Sequence, residues 1–361
     1  MQNRRKKRMS LLLALILLLT LAACSGGGDA SSADVSESEA SSAPAASEPA
    51  LEAPSRPEQT AVNPLTGLPT DEQTADLRPV AVMINNIHSA QPLLGVSSAD
   101  VIYECLVEGG ITRLLAVFQD VDGLEQIGSI RSARPTFINL ARGLDAVYFN
   151  LGGSEEAFQM LADGVVDNVS LGNYPDLFWR DPDRRKNLGY EHSALISGEL
   201  IEQGISQRGI RRTLNESIAS QKFGENSPVQ SGEAAASITA NFSSYKSTEF
   251  AFDETSGEYL ISQFGKAQTD GAAGRQNTAA NVLCLRVNSY VTDSMGHVSH
   301  DLVGSGSGYY MSGGKAIPVK WSKAGYDEPI RYTTESGEEL TMLPGRIYVC
   351  MVPPSQTIVF N

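Results

Sequence analysis

Two glycines, Gly109 and Gly110, separate the apolar run DVIYECLVE from the run ITRLLAVFQD. Both runs are rich in β-branched and aliphatic residues, and a Gly-Gly turn between two such runs predicts a β-hairpin. A third run of the same kind, PVAVMINN (79–86), precedes them. The stretch TFINLARGL then reads as a helix, with Pro135 in its first turn and Ser132 as its N-cap. The strand-like AVYFNLGG (146–153) follows, and a second helix opens at Ser154-Glu155-Glu156. Strands and helices interleaved in this way indicate α/β or α+β layering.

After residue 237 the pattern changes. EFAFDETSGEYLISQ (249–263), GYYMSGGKAIPVKWS (308–322) and RYTTESGEELTML (331–343) each alternate apolar and polar residues around a glycine turn, which predicts three hairpins. NVLCLRV (281–287) and GRIYVCMVP (345–353) read as buried strands. The expected fold is therefore α+β. A mixed α/β domain over 63–225 precedes an all-β domain, sandwich or barrel-like, over 236–361. The break is expected in GENSPVQSGEAAAS (224–237).

The chain opens MQNRRKKRM, continues LLLALILLLTLAAC, and so has a basic region, an apolar core and a small-residue end. That order predicts a lipoprotein signal peptide over residues 1–23, with Cys24 as the lipidated N-terminus of the mature chain. The core is shorter than the roughly 20 residues a spanning helix needs. Residues 24–62 are dominated by Ala, Ser, Pro, Gly and Glu and contain no aromatic residue. Such a segment cannot bury enough apolar surface to offset its chain entropy, so it is expected to be a disordered acidic tether. The mature protein would stand on the outer face of the cytoplasmic membrane, held by lipid.

The formal charge of −14 becomes −19 once the five basic residues of the leader are removed. That balance excludes nucleic acid as a partner and argues against a polybasic grip on anionic lipid. Any anion site must be a local basic island. Cys105, Cys284 and Cys350 lie in apolar runs without the close spacing of a zinc site, and read as buried small hydrophobes; a Cys284–Cys350 bridge is the alternative. No cofactor motif is present: GSGSG (304–308) leads into a strand, so it lacks the helix that receives a pyrophosphate. His297 and His300 with Asp293 and Asp301 have no close fourth partner, and no metal site is expected.

Four loops at element ends carry unusual polar content. INNIHSAQP holds Asn85, Asn86 and His88. LVEGGITR holds Glu108 and Arg113. IGSIRSARP holds Arg131 and Arg134, cations placed at the positive end of a helix. NLGGSEE holds Gly152 and Gly153 before a helix start, an arrangement that suits anions. A second basic island, NYPDLFWRDPDRRKNLGYEHSAL, interleaves Arg180, Arg184, Arg185 and Lys186 with aromatic residues and His192. The arginines could fork an anion, or pair internally with Glu104, Glu108 or Glu125. The candidate ligand-binding set is Asn85, Asn86, Glu108, Arg113, Arg131, Arg134, Gly152, Gly153, Arg180 and His192.

NPLTGLP, RPVAVMINN, SSADVIYECLVEGGITRLLAVFQ, IGSIRSARP and DAVYFNLGGSEEA together resemble the N-terminal domain of the YerB-type lipoproteins. WRDPDRRKNLGYEHSAL resembles a divergent form of that domain's Arg-rich stretch, in which Pro-His-Asn is usual; here the chain has Glu191-His192-Ser193. GSGSGYYMSGGKAIPVKWSK and LPGRIYVCMVP resemble the family's second domain. The resemblance runs from Asn63 nearly to the end. It implies a two-domain, membrane-anchored envelope protein of Gram-positive type, and it supplies no reaction. The function expected is binding of an anionic cell-wall component or an envelope enzyme. The alternative is a wall-active hydrolase or transferase with Glu108 as acid/base, assisted by His192 or His88.

Overall fold

Strand β1 (Val80–Asn86) is buried at every residue, which marks it as the centre of a sheet covered on both faces. The computed structural model describes residues 59–215 and 221–361. The leader, Cys24 and all but the end of the 24–62 tether lie outside the described residues. At that end, Ala61–Val62 pair with Pro69–Thr70.

The N-terminal part supplies β2 (Val101–Leu106), β3 (Thr112–Phe118), β4 (Val147–Asn150) and β5 (Asn168–Ser170). The predicted Gly-Gly hairpin is present: β2 and β3 run antiparallel from Leu106↔Thr112 onward. Gly109 and Gly110 turn it with φ of 68° and 71°, values that cost a side chain and suit glycine. Helix α1 (Pro135–Arg142) follows, with Arg134 at the N-cap and not Ser132. Arg134 makes no side-chain cap, because a guanidinium only donates and cannot accept from a backbone N–H. Helix α2 (Glu155–Ala162) is capped as expected by Ser154, whose hydroxyl accepts from Ala157 N. Helices α3 (Pro182–Asn187) and α4 (Gly198–Gln207) also belong to this part, as does a single helical turn at Glu72–Ala75.

The later part is almost wholly strand. Its elements include β6 (Ser237–Asn241), β7 (Ser247–Asp253), β8 (Glu258–Gln263), β9 (Asn281–Arg286), β10 (Gly304–Ser312), β11 (Lys315–Lys323), β12 (Ile347–Val352) and β13 (Ile358–Phe360). The hairpins β7–β8 and β10–β11 match their sequence patterns. In the third expected hairpin, only Arg331–Thr334 forms a strand; it pairs with β11, and a single bridge joins Thr333 to Glu339.

An eleven-stranded sheet unites the two parts, in the order β11-β10-β9-β12-β2-β3-β1-β4-β5 through its middle and far edge. The seam is a parallel pairing of β12 with β2, from Ile347↔Val101 to Met351↔Cys105. A six-stranded sheet is built on β8-β7-β6-β13. The pleat of the large sheet splits its side chains between two cores. Val82, Ile84, Ile102 and Tyr348 pack with Ile238, Phe250 and Ile261 of the smaller sheet, and with Ile201 and Ile205 of α4. Ala81, Met83, Tyr103 and Leu115 pack with Phe137, Ile138 and Ala141 of α1 and with Trp321 and Tyr332. The 224–237 stretch is tied to the core: Gly224 N donates to Met342 O, Ser227 Oγ to Thr341 O, and Val229 is buried. Cys105, Cys284 and Cys350 are buried free thiols, the last two register neighbours on β9 and β12.

Candidate functional site

The two adjacent asparagines that end β1 point to opposite faces, as the period of two requires. Asn86 turns toward the smaller sheet and donates to Glu104 Oε1 and Thr112 Oγ1, both at 2.9 Å. Asn85 turns toward α1 and donates from Nδ2 to His192 Nδ1 at 2.9 Å. The sequence grouped them; the structure assigns them to two different polar clusters.

Asn85 is the register partner of Arg113, so both belong to the cluster at the N-terminus of α1. Arg113 and Arg134 are buried, and both donate to Glu108 Oε1, at 2.7 and 2.5 Å. Arg134 also donates from Nε to Glu108 Oε2 at 3.0 Å, which makes a fork. One further nitrogen of each donates to backbone: Arg113 Nη1 to Ser132 O and Arg134 Nη1 to Ala133 O. Burial works to raise the Glu108 carboxyl, but the hydrogen bond from Arg134 and the charge of Arg113 outweigh it and hold its pKa below the ordinary value. Burial, with Arg134 beside it, pulls Arg113 down to about 9 against the pull of Glu108, which leaves it charged at neutral pH.

Arg131 is placed differently. Its side chain is 21% exposed, and its ion pair is a loose 3.4 Å contact with Glu191 Oε2, itself 61% exposed. Its Nε is buried and has no partner among the described residues. The two cations of IGSIRSARP therefore part company: Arg134 is locked on Glu108 and Arg131 faces the surface. Gly152 and Gly153 lie alongside, since Gly152 O accepts from Ala133 N and Gly153 bridges to Ala133. A Cβ on Gly152 would stand 3.0 Å from Ser132 Oγ, and its φ of 82° also favours glycine there.

His192 closes the cluster. It is buried, with Nδ1 on Asn85 and Nε2 3.4 Å from both Ser89 Oγ and Glu191 Oε1. Because the Asn85 amide donates to Nδ1, the neutral ring carries its proton on Nε2. Burial lowers its pKa; Glu191 opposes that, and Arg131 and Arg184 add to it. The second basic island joins through the same turn. Arg180 lies over the Tyr190 ring at 3.6 Å and donates to Tyr190 O. Arg184 is a strut and is buried: it donates to Ala90 O, Pro92 O and His192 O. Asp293 and His297 pair at 2.6 Å, while His300 is buried against Thr136 and pushed down to about 4 by that burial. Among the described residues no His, Cys, Asp and Glu group could hold a metal.

In the other polar cluster the sequence offered Asn86 as a ligand candidate and Glu104 as a possible partner of the arginines, but not the partners the two have. Glu104 lies on β2 between the two sheets with no solvent exposure. Its carboxylate pairs with Lys246 Nζ at 3.0 Å and accepts from Thr112 (2.6 Å), Thr248 (2.7 Å) and Tyr348 (2.7 Å) hydroxyls, besides Asn86. The one signal for it was an acidic residue inside the otherwise apolar VIYECL, where a charge is rarely buried unless paired.

Among the described residues no helix is long and apolar enough to cross a membrane. Residues 65–211 match the family described as "Protein of unknown function (DUF3048) N-terminal domain", and residues 238–349 match its C-terminal domain. "Putative lipoprotein YerB" of Bacillus subtilis (strain 168) is 29% identical over 295 residues, 80% of this chain and 86% of that protein. The crystal structure of YerB protein from Bacillus subtilis superposes with a TM-score of 0.73 at 27% identity, over 83% of this chain and 99% of that one. The chain belongs to the DUF3048 family, whose N-terminal and C-terminal domains it carries in succession.

Proposed function

We propose that this protein is a lipid-anchored, extracytoplasmic binding protein that holds an anionic group of the cell wall at Arg131. Removal of the 1–23 leader would leave Cys24 as the lipid attachment point, and the 24–62 tether would hold the folded part off the membrane. The observation that carries the site is the contrast between the arginines. Arg113 and Arg134 share Glu108, so three charges leave one positive charge over, while Arg131 keeps only a loose, exposed contact with Glu191. An incoming phosphate or carboxylate could displace Glu191 without uncovering a buried charge. Glu191, the partner of Arg131, also lies 3.4 Å from His192 Nε2, and His192 is held in turn by Asn85; Arg180 lies over the ring of Tyr190, the chain neighbour of Glu191.

Glu108 as a catalytic acid fares poorly by comparison. A general acid must carry a proton near neutral pH, and two arginines keep this carboxyl ionised. The test is titration of the mature chain with soluble wall fragments, teichoic acid and muropeptides separately. A charge-assisted contact is worth about 1.5–3 kcal/mol, so Arg131→Ala should weaken binding at least tenfold at unchanged melting temperature. Equal binding by wild type and variant would overturn the assignment.

A further inference from the structure

The stretch RDPDRRK (180–186) holds four cations against two acids, in a chain whose formal charge is −14. One of the acids serves the fold: Asp181 caps α3, its carboxylate accepting from Arg184 N at 2.7 Å. One of the cations does so too, since Arg184 is buried on three backbone carbonyls. That leaves Asp183 to answer Arg180, Arg185 and Lys186, and none of these three cations makes an ion pair among the described residues. Arg185 and Lys186 are exposed.

Arg180 and Arg185 are nevertheless held in order. The guanidinium of Arg180 lies 3.6 Å from the centre of the Tyr190 ring, and that of Arg185 lies 5.3 Å from the same point. Phe178 adds a second ring at 5.8 Å from Arg180. An aromatic face steadies a guanidinium without using its N–H edge. Arg180 Nη1 donates to Tyr190 O at 2.7 Å, and Arg131 Nη1 donates to Glu191 O at 3.3 Å. The two arginines are thus anchored on successive carbonyls, and Arg185 meets the ring of the first of those residues. Three guanidinium groups gather at the one turn Tyr190–His192, where Glu191 alone pairs with any of them, and loosely.

We infer that Arg131 is one contact of a wider surface formed with Arg180 and Arg185, and that its ligand is a chain of repeated phosphodiesters and not a single anionic group. The inference rests on Arg131 as the anion contact proposed above. Several cations fixed around one turn suit several anions at once, and the guanidinium fork matches phosphate oxygens. The acidity of the remaining chain narrows the class further. A broad anionic surface, such as a membrane or an acidic domain, would bring its charges within a screening length, about 8–10 Å, of that acidic remainder. A thin chain meets the basic island alone.

The experiment is fluorescence-anisotropy titration of the full chain, solubilised in neutral detergent, with a labelled decamer of poly(glycerol phosphate). Displacement by glycerophosphoglycerol, which carries one phosphodiester, serves as comparison. Wild type should bind the decamer at least tenfold more tightly than the single diester, counted per phosphate. Its affinity for the decamer should fall about tenfold for a fourfold rise in salt, as several neutralised phosphates require. Arg185→Ala, a change at an exposed side chain, should weaken the decamer at least threefold and leave the single diester as it is, whereas Arg131→Ala should weaken both. Equal affinity per phosphate for the two ligands, or a decamer affinity untouched by Arg185→Ala, would overturn the inference and leave Arg131 as a single-anion site. So would equal displacement by phosphatidylglycerol micelles, which would move the source to the membrane, or by a glutamate decamer, which would make any polyanion a ligand. If Arg131→Ala weakened neither ligand, the reading at Arg131 would itself fall, and this one with it.

Discussion

Glu104 and Glu108 are four residues apart on either side of the end of β2, and they lead opposite lives. Glu104 is sealed between two sheets and served by a lysine, two amides and three hydroxyls contributed by both parts of the chain. Glu108 stands in the turn, a quarter exposed, and is held by two arginines from its own part. A buried ion pair contributes little net stability against an apolar substitute, but losing one partner strands the other's charge. The first carboxylate therefore specifies how the smaller sheet seats on the large one. The second leaves one uncompensated positive charge on the pair Arg113 and Arg134 beside the candidate site. The difference teaches that acidity and spacing say little about role; the solvent boundary does.

The largest effect expected from this contrast is at Glu104. Glu104→Gln leaves Lys246 buried without its counter-charge and should cost about 3–5 kcal/mol. Adding Lys246→Met should restore part of it. Urea unfolding of the single and double variants measures both, and a single variant within error of wild type would dissolve the contrast.

A smaller loss is expected at Arg134. Arg134→Ala leaves Glu108 with Arg113 alone and should cost about 1–3 kcal/mol. It should also change the acid limb of stability. The lowered Glu108 pKa means that its pairing stabilises the fold above the ordinary value of 4.5 and is lost as pH falls through the depressed folded value. Melting temperatures followed downward from pH 4.5 should fall less steeply in the variant than in wild type.

His192 sharpens the comparison at higher pH. Its folded pKa is lowered from 6.5, so the unfolded chain takes up the proton first. Stability from the neutral ring is complete above 6.5 and declines as pH falls below it. His192→Gln should flatten that slope, which calorimetric scans across this range would detect. The smallest effect is at Arg131: its exposed pair with Glu191 should contribute no more than about 0.5 kcal/mol, so Arg131→Ala should melt as wild type does. A large drop would make Arg131 a strut and not the ligand contact proposed for it.

Much of this fold was legible in the chain alone. Gly109–Gly110 between apolar runs determined the β2–β3 hairpin, Ser154 determined the start of α2, and alternation around Ser256–Gly257 determined β7–β8, because each depends on contacts only a few residues apart. The candidate site was legible only as a list of residues: Arg113, Arg131, Arg134, Glu108, Asn85 and His192 lie close to one another. What tertiary structure alone decided was which partner each group meets. Neighbouring Asn85 and Asn86 diverged because the pleat sends them to different faces. Arg134 and Arg131 diverged because Glu108 reaches one, while the other ends at the surface. Lys246, Thr248 and Tyr348 converge on Glu104 from up to 244 residues away, and no local pattern encodes a pairing of that range. Hydrophobic period and turn chemistry are written locally, whereas the burial of a charge is fixed only when distant strands close over it.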